Sequence, residues 1–180
     1  MDIQVELDGT ICIVAALICL TLPMPWVISI LAASAIHELS HILAVMLVGG
    51  KIYKLRIKGN GTIIDASSMS EFSQLFCILC GPASSMLLLL TANIYPKLAA
   101  CGFVQGMFNL LPLYPLDGGR ALRCISQKLF SQITADRICS LIEKIIVLIL
   151  ITITTLSIAC KKFGIAPAFV LLLLLYRIRS

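Results

Sequence analysis

With 59% of its 180 residues apolar and only 13% charged, a net charge of +5 and a mean hydropathy of +1.03, the chain falls outside the class of ordinary soluble domains, in which about a quarter of residues are charged. The composition is that of a bilayer protein with room for about six spanning helices and short loops in one domain, residues 1–180, and it offers no charge block suited to nucleic acid. Eight cysteines are scattered through mainly apolar segments, so no disulfide framework is expected, and Cys77-x-x-Cys80 is read as a pair of small buried residues.

The first apolar run starts near Gly9, after an acidic beginning that lacks the basic lead of a cleaved signal, and is read as a retained span. Between Gly9 and Gly50 the only formal charge is Glu38, and the run is too long for one crossing of a core about 30 Å thick. Pro23 and Pro25 supply the break, because a proline cannot continue a helix and pushes the residue before it into extended backbone. Spans are therefore expected at 10–22 and 26–48.

The second of these carries both histidines of the chain, in Ala35-Ile36-His37-Glu38-Leu39-Ser40-His41-Ile42. On a helix that turns about 100° per residue, His37 and His41 stand about 40° apart and one turn along, where two imidazoles can share one metal ion. Glu38 then points beside the ion. Two neutral imidazoles, an open position for water and a carboxylate to take the water's proton are what a zinc hydrolase needs. A merely structural hydrogen-bonded trio is the plainer alternative, but ionisable groups inside a span are costly and usually mark function.

After Gly49-Gly50 the periodicity changes to two. Tyr53, Leu55 and Ile57 alternate with Lys54, Arg56 and Lys58, and Gly59-Asn60-Gly61 leads into Thr62-Ile63-Ile64, which predicts a β-hairpin. Such a hairpin is either a surface connection or an edge able to hold a substrate in extended form. Phe72 to Tyr95, with Gly81-Pro82-Ala83-Ser84-Ser85 as a stretch of close approach, is expected to be the third span, and Leu98 to Leu116, with Gly102-x-x-x-Gly106 and Asn109, the fourth. Leu116-Asp117-Gly118-Gly119-Arg120 opens a basic amphipathic segment carrying Leu122, Ile125 and Leu129, suited to the membrane interface. Ile145 to Cys160 gives a fifth span and Phe163 to Tyr176 a short sixth, the C-terminal helices occupying 139–180. Segments 51–58, 120–144 and 177–179 hold four, five and two of the fourteen basic residues, so six spans with both termini in the cytoplasm satisfy the positive-inside rule.

No third histidine exists to complete a catalytic zinc site, so a carboxylate or thiolate must serve. Among Asp2, Glu6, Asp8, Asp65, Glu71, Asp117, Asp136 and Glu143, only Asp117 follows a broken helix end and has two glycines beside it for tight folding. A helix N-cap is the competing role for Asp117, and Cys77, Cys80 and Cys101 stay as alternative ligands.

His37-Glu38-Leu39-Ser40-His41, Gly81-Pro82-Ala83 and Asn109-Leu110-Leu111-Pro112-Leu113-Tyr114-Pro115-Leu116-Asp117-Gly118-Gly119-Arg120 together resemble the site-2 protease family of intramembrane zinc metalloproteases, over a core of about 26–125. Tyr114 stands where many members have proline. The compact form is similar to the bacterial sporulation-type branch. The resemblance implies an all-α polytopic protein of about six transmembrane helices with a short β-hairpin after the second, in a bacterial cell membrane. It implies His37, His41 and Asp117 as zinc ligands, Glu38 as general base, and Asn109 as a polar contact to the substrate backbone or developing oxyanion. Tyr53, Leu55 and Ile57 are the expected substrate-binding positions of the hairpin. The implied partners are the lipid bilayer, a membrane-tethered substrate cut in or near its span in regulated intramembrane proteolysis, and a regulatory membrane partner or second copy of the chain. A polytopic metal-ion transporter would also place His and carboxylates in the membrane, but it predicts repeated halves with matching broken helices, which the sequence lacks. An inactive zinc-binding scaffold has no need of Glu38.

Overall fold

The computed structural model describes residues 4–7, 16, 19–58, 61–67 and 69–159. The chain forms two compact units, Met1–Leu110 and Leu111–Ser180.

In the first unit a short strand β1 (Gln4–Leu7) precedes helix α1 (Met24–Leu47), and strands β2 (Ile52–Lys58) and β3 (Gly61–Ala66) form the hairpin. Helix α2 (Glu71–Leu87) continues as a 3-10 turn, Leu88–Thr91, and helix α3 (Pro96–Asn109) closes the unit. α1 starts where Pro23 stands at the N-cap in extended backbone and Pro25 falls in the first turn, where a missing N–H costs nothing. It stops at a Schellman motif. Gly49, at φ 74°, adopts the left-handed conformation that glycine tolerates, and the N–H groups of Gly49 and Gly50 reach the carbonyls of Met46 and Val45 at 3.0 and 2.9 Å. α2 starts at Ser70, whose hydroxyl accepts from the Ser73 N–H at 3.2 Å.

The three helices pack on one another. Gly102 and Gly106 of α3 lie against α2, and a Cβ at Gly102 would come within 2.6 Å of the Ser85 carbonyl oxygen, so the expected close-packing face is present and its partner is α2. Cys77 lies in a buried apolar cluster with Ala44, Val45 and Ile52, and neither Cys77 nor Cys80 forms a disulfide.

The hairpin forms as expected, but within a three-stranded sheet of order β1-β2-β3. β1 adds in parallel, Val5 opposite Leu55 and Leu7 opposite Ile57, and β3 pairs in antiparallel on the other side. Lys54 and Glu6 form an ion pair at 2.6 Å.

In the second unit, α4 (Asp117–Leu129) is the expected basic amphipathic segment, and α5 (Gln132–Ala159) follows after a break at Phe130 and Ser131. α5 takes in the expected fifth span but begins thirteen residues before Ile145 and seven before residue 139, because nothing in 132–144 interrupts helical backbone.

Among the described residues three helices are long and apolar enough to cross a membrane: Met24–Leu47, Glu71–Thr91 and Gln132–Ser157. The segment expected as a span at 98–116 is not one continuous helix. Its helix has 14 residues, about 21 Å, and ends at Asn109, short of a core of about 30 Å. The apolar residues that follow form turns that lead to Pro112 and Pro115, with Leu113 and Leu116 fully buried rather than facing lipid. Most of the expected span at 10–22 and all of that at 163–176 lie outside the described residues.

Candidate metal centre

One stripe of α2, Cys77, Gly81 and Ser85, runs along the two histidines of α1. These residues recur at every fourth position, hence on one helix face. Because the helices run antiparallel, His41 meets Cys77 and Gly81 while His37 meets Ser85. His41 Nδ1 lies 2.8 Å from the Cys77 carbonyl oxygen, which can only accept, so that nitrogen carries the proton and Nε2 carries a lone pair. His37 Nδ1 lies 2.9 Å from the Ser85 hydroxyl, which can donate or accept and holds the orientation of that ring. Both imidazoles and Ser85 are buried. Such partners on the far nitrogen fix the tautomer and ring orientation of metal-ligating histidines.

Gly81 is what lets α2 come so close. A Cβ there would overlap Nε2 and Cε1 of His41 and lie 2.8 Å from its Cδ2. The two rings stand nearly perpendicular, at 84°, with their Nε2 atoms 3.3 Å apart. A tetrahedral ion with Zn–N bonds of about 2.0–2.1 Å sets two imidazole nitrogens about 3.3–3.4 Å apart. The observed separation fits zinc.

Glu38, the next residue along α1, is half-buried. Asn109 is buried at the end of α3, and its Nδ2 donates to the Gln105 carbonyl at 3.1 Å. Tyr53 is half exposed and sits at a register irregularity between Ile52 and Lys54, a place where a strand re-aims a side chain. Of the two hairpin strands, β2 lies inside the sheet and β3 at its margin. Leu55 and Ile57 belong to the middle strand, with β1 and β3 engaging its main chain on either side, and their side chains lie outside those described. β1 escaped notice because only four residues carry its alternation and its partner lies some fifty residues on.

In the second unit Asp117 is the first residue of α4 and is buried. The N-cap is Leu116, so the capping role considered for Asp117 is not the one it takes. Its carboxylate stands at a helix N-terminus, where the backbone dipole favours negative charge, and one oxygen lies 3.8 Å from Arg120 Nη1. Gly119 lets the Leu113–Tyr114 peptide lie directly against α4, since a Cβ there would collide with main-chain atoms of both residues. Ser85 is the functional residue that sequence reasoning missed. A hydroxyl four residues beyond Gly81 in an apolar span was the available signal.

Fold and site together define a class: helical membrane proteins in which a His-Glu-x-x-His helix presents two buried, oriented imidazoles at zinc-binding separation. The sequence profile of peptidase family M50 matches residues 60–153, just over half the chain. The chain belongs to peptidase family M50, the site-2 protease family of integral-membrane zinc metalloproteases. A curated zinc metalloprotease of Methanocaldococcus jannaschii is 29% identical over 136 residues, which cover 68% of this chain and 40% of that protein. The chain thus spans about two fifths of that relative's length. The solved structure of the site-2 protease from the same organism superposes with a TM-score of 0.71 at 24% identity, over 99% of this chain and 90% of that one, and shows the fold.

Proposed function

We propose that the protein is an intramembrane zinc endopeptidase, with His37, His41 and Asp117 as ligands and Glu38 as general base. The observation that carries this reading is the pair of imidazoles with Nε2 atoms 3.3 Å apart and each Nδ1 held by α2. Zinc, when bound, supplies a Lewis acid that polarises a carbonyl oxygen and makes water acidic enough to ionise near neutral pH. Glu38 takes the proton of the attacking water and delivers it to the leaving amine nitrogen. The Cys77 carbonyl holds His41 in one tautomer, and Ser85 holds the orientation of the His37 ring. Asn109 offers an amide to the substrate backbone or the developing oxyanion.

The substrates proposed are membrane-tethered proteins, cut in or near a span in regulated proteolysis. A spanning helix hides its carbonyls in its own hydrogen bonds, so a local stretch must unwind before attack, and helix-weakening residues near the cut favour it. Among the described residues β3 is the hairpin strand at the margin of the sheet, and its edge at 61–66 is suited to take over those main-chain bonds. Tyr53, Leu55 and Ile57, on the neighbouring strand β2, are the proposed substrate-binding positions of the hairpin. Basic residues in 51–58 and 120–144 favour the cytoplasmic side for both segments.

The test is Glu38→Gln in the full chain. Zinc content at the parental level with cleavage of a membrane substrate abolished is the expected result. Cleavage at the parental rate overturns the assignment of the base.

A further inference from the structure

The loop that leads into Asp117 is held from three sides within the second unit. Glu143, from α5, accepts the Tyr114 main-chain N–H at 3.2 Å. Arg123, from α4, sets its guanidinium 4.9 Å from the centre of the Tyr114 ring and its Nε 3.9 Å from Asp136 of α5. Gly119 closes the third side by letting the Leu113–Tyr114 peptide rest on α4. Asp117 follows Tyr114 by three residues, with Leu116 fully buried between them, so a shift of Tyr114 is transmitted to the carboxylate.

We propose that Glu143 is a positioning residue for Asp117, acting through the Tyr114 main chain. The inference rests on the reading of Asp117 as a zinc ligand. Two features of this chain make the device work. Tyr114 has an N–H to donate, and its ring gives Arg123 a face on which to stack. Asp136 orients Arg123 from the same helix that carries Glu143, so α5 grips the loop twice. Partners bonded directly to a ligand govern how well it holds metal, and their loss typically costs about 10–100-fold in affinity; Glu143 stands one link further back, so a smaller loss is expected.

The experiment follows zinc release from the purified full chain to a chromogenic chelator, together with thermal melting of the metal-free protein. Glu143→Ala is expected to release zinc roughly threefold or more faster than the parent, below the range for a direct partner of a ligand, with metal-free melting unchanged, and Glu143→Gln, which keeps an acceptor oxygen, to stay near the parent. In a Tyr114→Pro background, which has no N–H to lose, Glu143→Ala is expected to add nothing. Parental zinc release in Glu143→Ala, failure of Gln to rescue, an undiminished effect in the Tyr114→Pro background, or a matching fall in metal-free melting each overturns the proposal. Asp117→Ala separates the two levels. If it retains zinc like the parent, the ligand assignment itself has failed, whereas if it loses zinc while Glu143→Ala does not, only the positioning role has.

Discussion

Replacing Gly81 with alanine places one methyl group against the His41 ring, a proposed zinc ligand. An added Cβ would overlap two atoms of the His41 imidazole and stand 2.8 Å from a third, whereas carbon atoms at rest sit about 3.5–4.0 Å apart. Ring or helix must therefore retreat by about 1 Å. Alanine's better helix propensity offers about 1 kcal/mol in return, against about 1–3 kcal/mol for overpacking, so the net effect on folding is small to moderately unfavourable. The larger consequence is chemical. Moving a ligand by that distance breaks the alignment of His41 Nδ1 with the Cys77 carbonyl, and misplacements of about 1 Å cost on the order of a hundredfold in rate. Zinc release, thermal melting and cleavage of a membrane substrate by Gly81→Ala measure the three effects separately. In a His41→Ala background the methyl has room, so the melting penalty is expected to vanish. Parental cleavage and zinc retention in Gly81→Ala, or a melting penalty that persists without the His41 ring, would refute the reasoning.

Ser85→Ala removes the partner of His37 Nδ1 at a fully buried position, which leaves a polar atom unsatisfied at about 1–3 kcal/mol and is expected to weaken zinc binding about 10–100-fold. Chelator competition checks this, and parental zinc affinity would count against the role given to Ser85. Gly102→Ala pushes a methyl to 2.6 Å from the Ser85 carbonyl oxygen and 2.7 Å from Leu88, so thermal stability is expected to fall by about 1–3 kcal/mol. An unchanged melting temperature would show that α2 and α3 are not in such close contact.

The parts of this protein that were legible in its sequence are those whose physics is local. Two histidines one helical turn apart, prolines at the start of α1, a glycine pair at its end and the alternation of Tyr53 to Lys58 each act within a few residues. Gly81 and Gly102 announced close approaches without saying what approached, because that depends on which helix faces which. Ser85 and the Cys77 carbonyl support histidines more than thirty-five residues away, and a hydroxyl and a main-chain oxygen leave no sequence pattern of their own. The segment 98–116 reads as one span by its apolar length, with Pro112 and Pro115 disrupting its end, and its helix stops earlier, at Asn109. Leu113 and Leu116 are apolar because they are buried in turns, and the two prolines nearby already barred a helix.

Zinc content per chain, measured on purified parent and on His37→Ala, His41→Ala and Asp117→Ala, bears most directly on the account. One zinc per parent chain, lost from each of the three variants, is the result it predicts. Stoichiometric zinc persisting in any of them, or none in the parent after loading, would contradict it.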